Sequence, residues 1–137
     1  MTLWQKVWRE GVEPSLSDEG LLALRRALVR DDERLRQGST TEPPPLASLH
    51  GRPCEGACAI GYCGWRGDGL RTVGEVEEQF ARICREANSR LGEPASVRWF
   101  LNWFDDTPRE EMRRGLLAEV RRALRRRGLG RPWRLAA

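Results

Sequence analysis

The sequence predicts an all-α protein, a compact bundle of five or six helices with a Pro-rich connector. Three observations predict it. Apolar residues recur at spacings of three and four in nearly every patterned segment, which is the helical period. No alternating stretch reaches a convincing strand length. Helix starts and stops are marked by Ser or Thr caps, by Gly and by Pro.

The elements follow in chain order. Leu3, Trp4, Val7, Trp8 and Val12 predict a short amphipathic helix ending near Gly11. Ser17 caps a second helix with Leu21, Leu24 and Leu28 as its inner stripe and Leu22 and Val29 beside it. Asp31 to Gln37 are read as a further helical turn or two. Residues 38–46, GSTTEPPPL, form the connector. Pro43, Pro44 and Pro45 carry no N–H and favour extended chain, so we read a strap across the surface.

Thr72-Val-Gly-Glu75 is a capping box, and Val73, Val76, Phe80, Ile83, Ala87 and Leu91 continue one stripe behind it. Gly92 and Pro94 stop that helix. Thr107-Pro-Arg-Glu110 reads as a second capping box, with Pro108 at the first helical position. Met112, Leu116, Val120 and Leu124 are the inner stripe of the last helix, and Gly128 ends it. Between these two lies SVRWFLNWFDD, with Val97, Phe100, Leu101 and Phe104 on one face and Trp99 and Trp103 on another. Apolar nearly all round, it is expected in the middle of the bundle. Phe80, Ile83, Phe100, Leu101, Phe104, Leu116 and Val120 are the expected core.

A chain of 137 residues matches one domain and can bury a core without staples. We read residues 1–128 as a single helical domain and 129–137 as a basic C-terminal tail. No apolar run approaches the roughly 20 residues that span a bilayer. The N-terminus, MTLWQKVWREG, lacks the apolar region of a signal peptide, which predicts a cytoplasmic protein with reduced thiols and no membrane partner.

The net charge of +4 hides an asymmetry. Residues 108–137 hold ten Arg against three Glu, while the rest is slightly acidic. There is a single Lys, Lys6, and Arg supplies the remaining basic residues. Codon usage in a GC-rich genome accounts for this use of Arg, which dominates everywhere and not only at one face.

HGRPCEGACAIGYCGW, residues 50–65, holds the only His and three of the four Cys. Pro53 is read as opening a helix from about Cys54 to Cys63. Cys54 and Cys58 would then share a face, with Cys63 about 140° further round. His50, Cys54, Cys58 and Cys84 are the candidate ligands of a zinc site. Paired knuckles are missing, however, and small residues around the thiols point to close helix packing. An iron–sulfur cluster on Cys54, Cys58, Cys63 and Cys84 would need bends at Gly61 and Gly64. We therefore read no cofactor. Residues 64–69, GWRGDG, lack the Lys and Ser or Thr of a phosphate loop and read as a turn.

Asp105-Asp106 and Glu110-Glu111 are paired carboxylates, but acids at a helix start are favoured by about 0.3–1 kcal/mol each, without catalysis. One His and no Ser or Cys in a nucleophile signature leave no triad, so an enzyme is not the expected class. The last helix remains. Arg114, Arg121, Arg122 and Arg125 lie opposite its apolar stripe, and Arg126, Arg127, Arg131 and Arg134 follow, with Trp133 able to stack on a base. Glu110 is expected to pair with Arg114.

These readings converge on a small helical protein-interaction module, a non-catalytic subunit or adaptor of a larger assembly whose partner is another protein. Six Trp against one Tyr and the Pro-rich strap suit that reading. The alternative is a sequence-independent nucleic-acid-binding protein that uses the Arg-rich last helix and tail.

Overall fold

The helical periods of the sequence become six α-helices in the computed structural model, which describes residues 1–129 and is 65% helical. The helices are α1 (Leu3–Val7), α2 (Asp18–Arg30), α3 (Ala59–Tyr62), α4 (Val73–Leu91), α5 (Arg98–Asp106) and α6 (Arg109–Arg126). One small antiparallel ladder joins β1 (Thr41–Glu42) to β2 (Gly56–Ala57). No helix among the described residues is long and apolar enough to cross a membrane.

α1 runs on as a π turn over Trp8–Val12 and a 3-10 turn over Glu13–Ser15, past the stop expected at Gly11. α2 starts where predicted: the Ser17 hydroxyl accepts from the Gly20 amide at 2.9 Å. It ends at Asp31, in the left-handed region with φ 51°, so the extra helical turns expected over residues 31–37 are absent. The Asp32 amide donates to the Ala27 carbonyl at 3.0 Å and closes the end as a Schellman motif.

The predicted helix over Cys54–Cys63 begins five residues later, at Ala59. Residues 54–57 are extended because their backbone groups bond to other segments. Cys54 N–H donates to the Arg71 carbonyl at 2.8 Å, Glu55 to Glu42 at 2.7 Å and Ala57 to Arg34 at 2.9 Å. Cys58 is the N-cap of α3, and the chain continues as a π turn over Cys63–Gly67. That π turn lies across the start of α2. A Cβ on Gly67 would stand 2.4 Å from Gly20 Cα and 2.7 Å from the Glu19 carbonyl oxygen. Only glycine permits this backbone contact.

α4 carries its capping box as predicted, with Thr72 Oγ1 accepting from Glu75 N–H at 3.2 Å and Glu75 Oε1 accepting from Thr72 N–H at 3.0 Å. The second box does not form. Pro108 occupies the N-cap position of α6, without a side-chain cap. The Thr107 and Phe104 carbonyls instead each accept from the Gln37 side chain at 2.7 Å, which fastens the α5–α6 junction. Gly128 ends α6 as expected, at φ 78°, with Leu129 N–H donating to the Leu124 carbonyl.

The core draws on every helix. Phe100, Phe104, Met112, Leu116, Val120 and Leu124 are fully buried, as are Trp8, Leu21, Leu24 and Leu28. Phe80 and Leu101, expected in the core, are only half-buried at its edge. α5 is not enclosed on all sides either, since Trp99 stays 57% exposed. Its neighbour Trp103 stacks on Trp4 with centroids 3.5 Å apart and planes 6° from parallel. Trp8 and Phe100 pack at 5.2 Å beneath them. Aromatic pairs of this kind add about 0.5–1.5 kcal/mol beyond area burial.

Two substitutions test this packing. Phe100→Ala is expected to cost about 3–5 kcal/mol in chemical denaturation; a loss below about 1 kcal/mol would make the residue peripheral. Gly67→Ala is expected to cost about 1–3 kcal/mol, because backbone cannot yield as a side chain would.

Candidate functional site

Three of the four cysteines have a structural task. Cys54 Sγ donates to the Gly56 carbonyl at 3.3 Å, and Cys58 Sγ accepts from the Gly61 amide at 3.5 Å. Cys63 packs beneath Gly20, whose Cβ would meet Cys63 Cβ at 2.9 Å. Cys84 is half-buried on α4. His50 is exposed and its Nε2 faces the Pro45 carbonyl at 3.4 Å. Among the described residues no three His, Cys, Asp or Glu side chains are grouped to hold a metal ion. Burial pushes the thiols up: Cys58 to about 12 and Cys84 to about 11, with Cys54 and Cys63 also raised. Raised in this way, the thiols hold little thiolate near neutrality.

Two acids of the α5–α6 junction have partners in the fold. Asp105 accepts from the Gly38 amide at 2.8 Å, and burial raises its carboxyl. Glu110 pairs with Arg113 rather than with Arg114. Two acids are deeply buried on the α1 side. Glu119 on α6 is held by Arg9 at 2.7 and 2.8 Å and by Gln5 at 3.1 Å. Glu13 meets Arg127 at 2.9 Å.

The arginines of the last helix fall into two groups. Arg127, read from sequence as part of the binding row, turns inward. It donates to the Leu16 carbonyl at 2.9 Å, the Glu13 carbonyl at 2.8 Å and the Asp18 carboxylate at 2.9 Å. Arg109 and Arg113 hold the other end, donating to carbonyls of Leu28, Asp32 and Leu35 and pairing with Asp31. α6 therefore lies antiparallel on α2, clamped at both ends. The second group faces outward. Arg114, Arg121, Arg125 and Arg126 are exposed and Arg122 is half-buried. At 100° per residue, Arg114, Arg121 and Arg125 fall within an arc of about 40°. None of these three makes a hydrogen bond or ion pair with another described side chain. Arg131, Trp133 and Arg134 lie outside the described residues.

Arginines also gather where no sequence motif pointed. Arg26 and Arg30 of α2, Arg34 after it and Arg66 of the π turn line one pocket with Tyr62, Asp32, Ala23 and Ala27. Asp32 bonds Arg34 through both oxygens, at 2.9 and 3.0 Å, and accepts from the Tyr62 hydroxyl at 2.8 Å. The Arg34 guanidinium holds the Asp32 carboxyl well below the usual range. Burial, then the hydrogen bond to Asp32 and the charge of that carboxylate, pushes Tyr62 up to about 12. The i,i+4 spacing of Arg26 and Arg30 was readable in sequence, but their meeting with Arg66 was not.

Comparison with family models, with curated proteins and with solved structures finds no match for this chain.

Two measurements follow. At pH 8 a thiol reagent should leave Cys58 and Cys63 untouched in the native chain and label all four cysteines after denaturation. Rapid native labelling of Cys58 would contradict its burial. Tyr62 is the only Tyr, so absorbance titration reports it alone. Its phenol is neutral to higher pH when folded than when unfolded. The stability it contributes is therefore complete below about pH 10 and lost as pH rises towards about 12. Asp32→Asn should lower the folded titration point; an unchanged midpoint would remove Asp32 as a cause.

Proposed function

We propose that this chain is a small, non-catalytic helical binding protein that engages nucleic acid through phosphates, without reading base sequence. The observation that carries this is the exposed arc of Arg114, Arg121 and Arg125 on α6. Guanidinium groups match phosphate oxygens in pairs. The clamps at Arg109, Arg113 and Arg127 make the helix a rigid platform for that arc. Contacts of this type position a protein but do not specify sequence. The four free thiols, three of them buried, suit a reducing, cytoplasmic setting.

A second reading, an adaptor that binds another protein, has its own support. Trp99 is 57% and Leu3 50% exposed, and both line a cleft of about 130 Å³ with Val7 and Leu91. Exposed aromatic and aliphatic side chains beside a cleft are the usual anchors of a protein interface. The other tryptophans that favoured this reading are less available: Trp4, Trp8 and Trp103 are spent on the aromatic core.

A gel-shift titration at two salt concentrations, beside a pull-down, separates the two. On the nucleic-acid reading, binding weakens with salt at a slope near −0.9 per phosphate contact on duplex DNA. Arg121→Glu with Arg125→Glu abolishes it, while circular dichroism stays unchanged. On the adaptor reading, Trp99→Ala loses a protein partner and the charge reversal does not. Tight, salt-insensitive binding to one sequence would contradict the phosphate reading.

A further inference from the structure

The pocket between α2 and the π turn holds an imbalance of charge that the fold does not explain. Its walls carry four guanidinium groups and one carboxylate. That carboxylate, Asp32, is already committed: both its oxygens bond Arg34, and one also accepts from Tyr62. Arg26, Arg30 and Arg66 make no ion pair with any described residue. Arg26 and Arg30 stand four apart on one helix, a like-charge spacing that disfavours the helix when nothing lies between them.

The site is also held in place. Gly67 rests on the Gly20 backbone, which sets Arg66 beside the outer face of α2. Trp65 lies under both neighbouring cations, with Arg66 Cζ 5.3 Å and Arg34 Cζ 5.7 Å from its ring centroid. Tyr62 meets the Trp65 ring edge-on at 5.7 Å. These contacts restrain Arg34 and Arg66 before any ligand arrives, so less of their rotamer freedom is lost on binding, while Arg26 and Arg30 reach the pocket mouth as exposed side chains of α2. Arg34, which lines the pocket, bonds Asp32 through Nε and Nη2, and its Nη1 has no partner among the described residues.

Size narrows the ligand. The cavity is about 90 Å³. One water needs only about 10–15 Å³ on this measure, while pockets for organic ligands run to roughly 300–1,000 Å³. A tetrahedral oxyanion falls between them, and planar guanidinium forks fit its oxygens pairwise.

We infer that this pocket is a phosphate seat, taking inorganic phosphate or a terminal phosphate monoester between Arg26, Arg30 and Arg66, with Arg34 Nη1 completing it. The inference stands apart from the α6 reading, since no residue is shared.

Calorimetric titration with inorganic phosphate, against chloride at equal ionic strength, tests it. The wild-type chain should bind phosphate. Arg26→Gln with Arg30→Gln should weaken binding roughly tenfold or more, the factor that follows from losing charge-assisted hydrogen bonds. Gln is a good helix former and the change removes a like-charge pair, so α2 should persist by circular dichroism. Arg66→Gln, on the π turn, is a second variant with the same expected direction. Arg121→Glu with Arg125→Glu should bind phosphate as the wild type does. Competition by a 5′-phosphorylated oligonucleotide but not by its 5′-hydroxyl form would identify a nucleic-acid end as the source. Competition by neither would identify free phosphate. The inference is overturned if phosphate binds no better than chloride, if the Arg26 and Arg66 variants bind like wild type, or if both oligonucleotides compete equally.

Discussion

The backbone contact between Gly20 and Gly67 is the constraint on which the rest of the structure depends. A Cβ on Gly67 would run into the Gly20 backbone, while a Cβ on Gly20 would press on Cys63 at 2.9 Å, so each glycine serves the crossing by a different contact. The contact seats the α3 and π-turn segment on the first turn of α2. From there Cys63 fills the space under Gly20, and Tyr62 reaches Asp32 just past the end of α2. The same approach pins Asp68, which accepts from the Ser17 hydroxyl and from Gln79 of α4. One crossing thus couples three helices, and it builds the wall of the arginine pocket as a by-product.

The other side of α2 is organised by charge. Arginine serves there as a molecular strap, because one guanidinium can satisfy several acceptors at once. Arg109 and Arg113 collect the carbonyls left over at the C-terminus of α2, and Arg127 does the same for the turn before its N-terminus. Helix ends leave such groups without intrahelical partners. Long side chains from a neighbouring helix cover them while α6 lies in register along α2. The arginine excess of the C-terminal region is therefore partly architectural. What remains for a partner is the outward arc, which has no structural duty among the described residues.

How much was legible in the sequence follows from the range of the forces involved. The caps at Ser17 and Thr72, the left-handed stops at Gly92 and Gly128, and the α6 stripe are set within a turn or two of chain, and all were read correctly. Three of the departures involve a partner distant in sequence. Residues 54–57 have helix-compatible neighbours, yet their amides bond to Arg34, Glu42 and Arg71, distant in sequence. Thr107 has the spacing of a capping box, but it sits one residue outside α6, where Pro108 holds the N-cap position and Gln37 from another segment bonds the Thr107 carbonyl. Arg127 looked like its neighbours on the helix until Glu13 and Asp18 came within reach. In each case a long-range partner outbid a local preference.

The sequence by itself determined the helical class, most helix boundaries and the inner stripes, because the period of 3.6 and the cap residues act locally. It also showed that cationic charge is concentrated at the C-terminal end. Only the tertiary structure decided which arginines are straps and which face outward, since that depends on where acids and orphan carbonyls of other helices lie. It alone gathered Arg26, Arg30, Arg34 and Arg66, separated by up to forty positions, around one small pocket. Composition cannot foresee such a meeting, because two glycines in different helical segments are what bring the chains close enough for it.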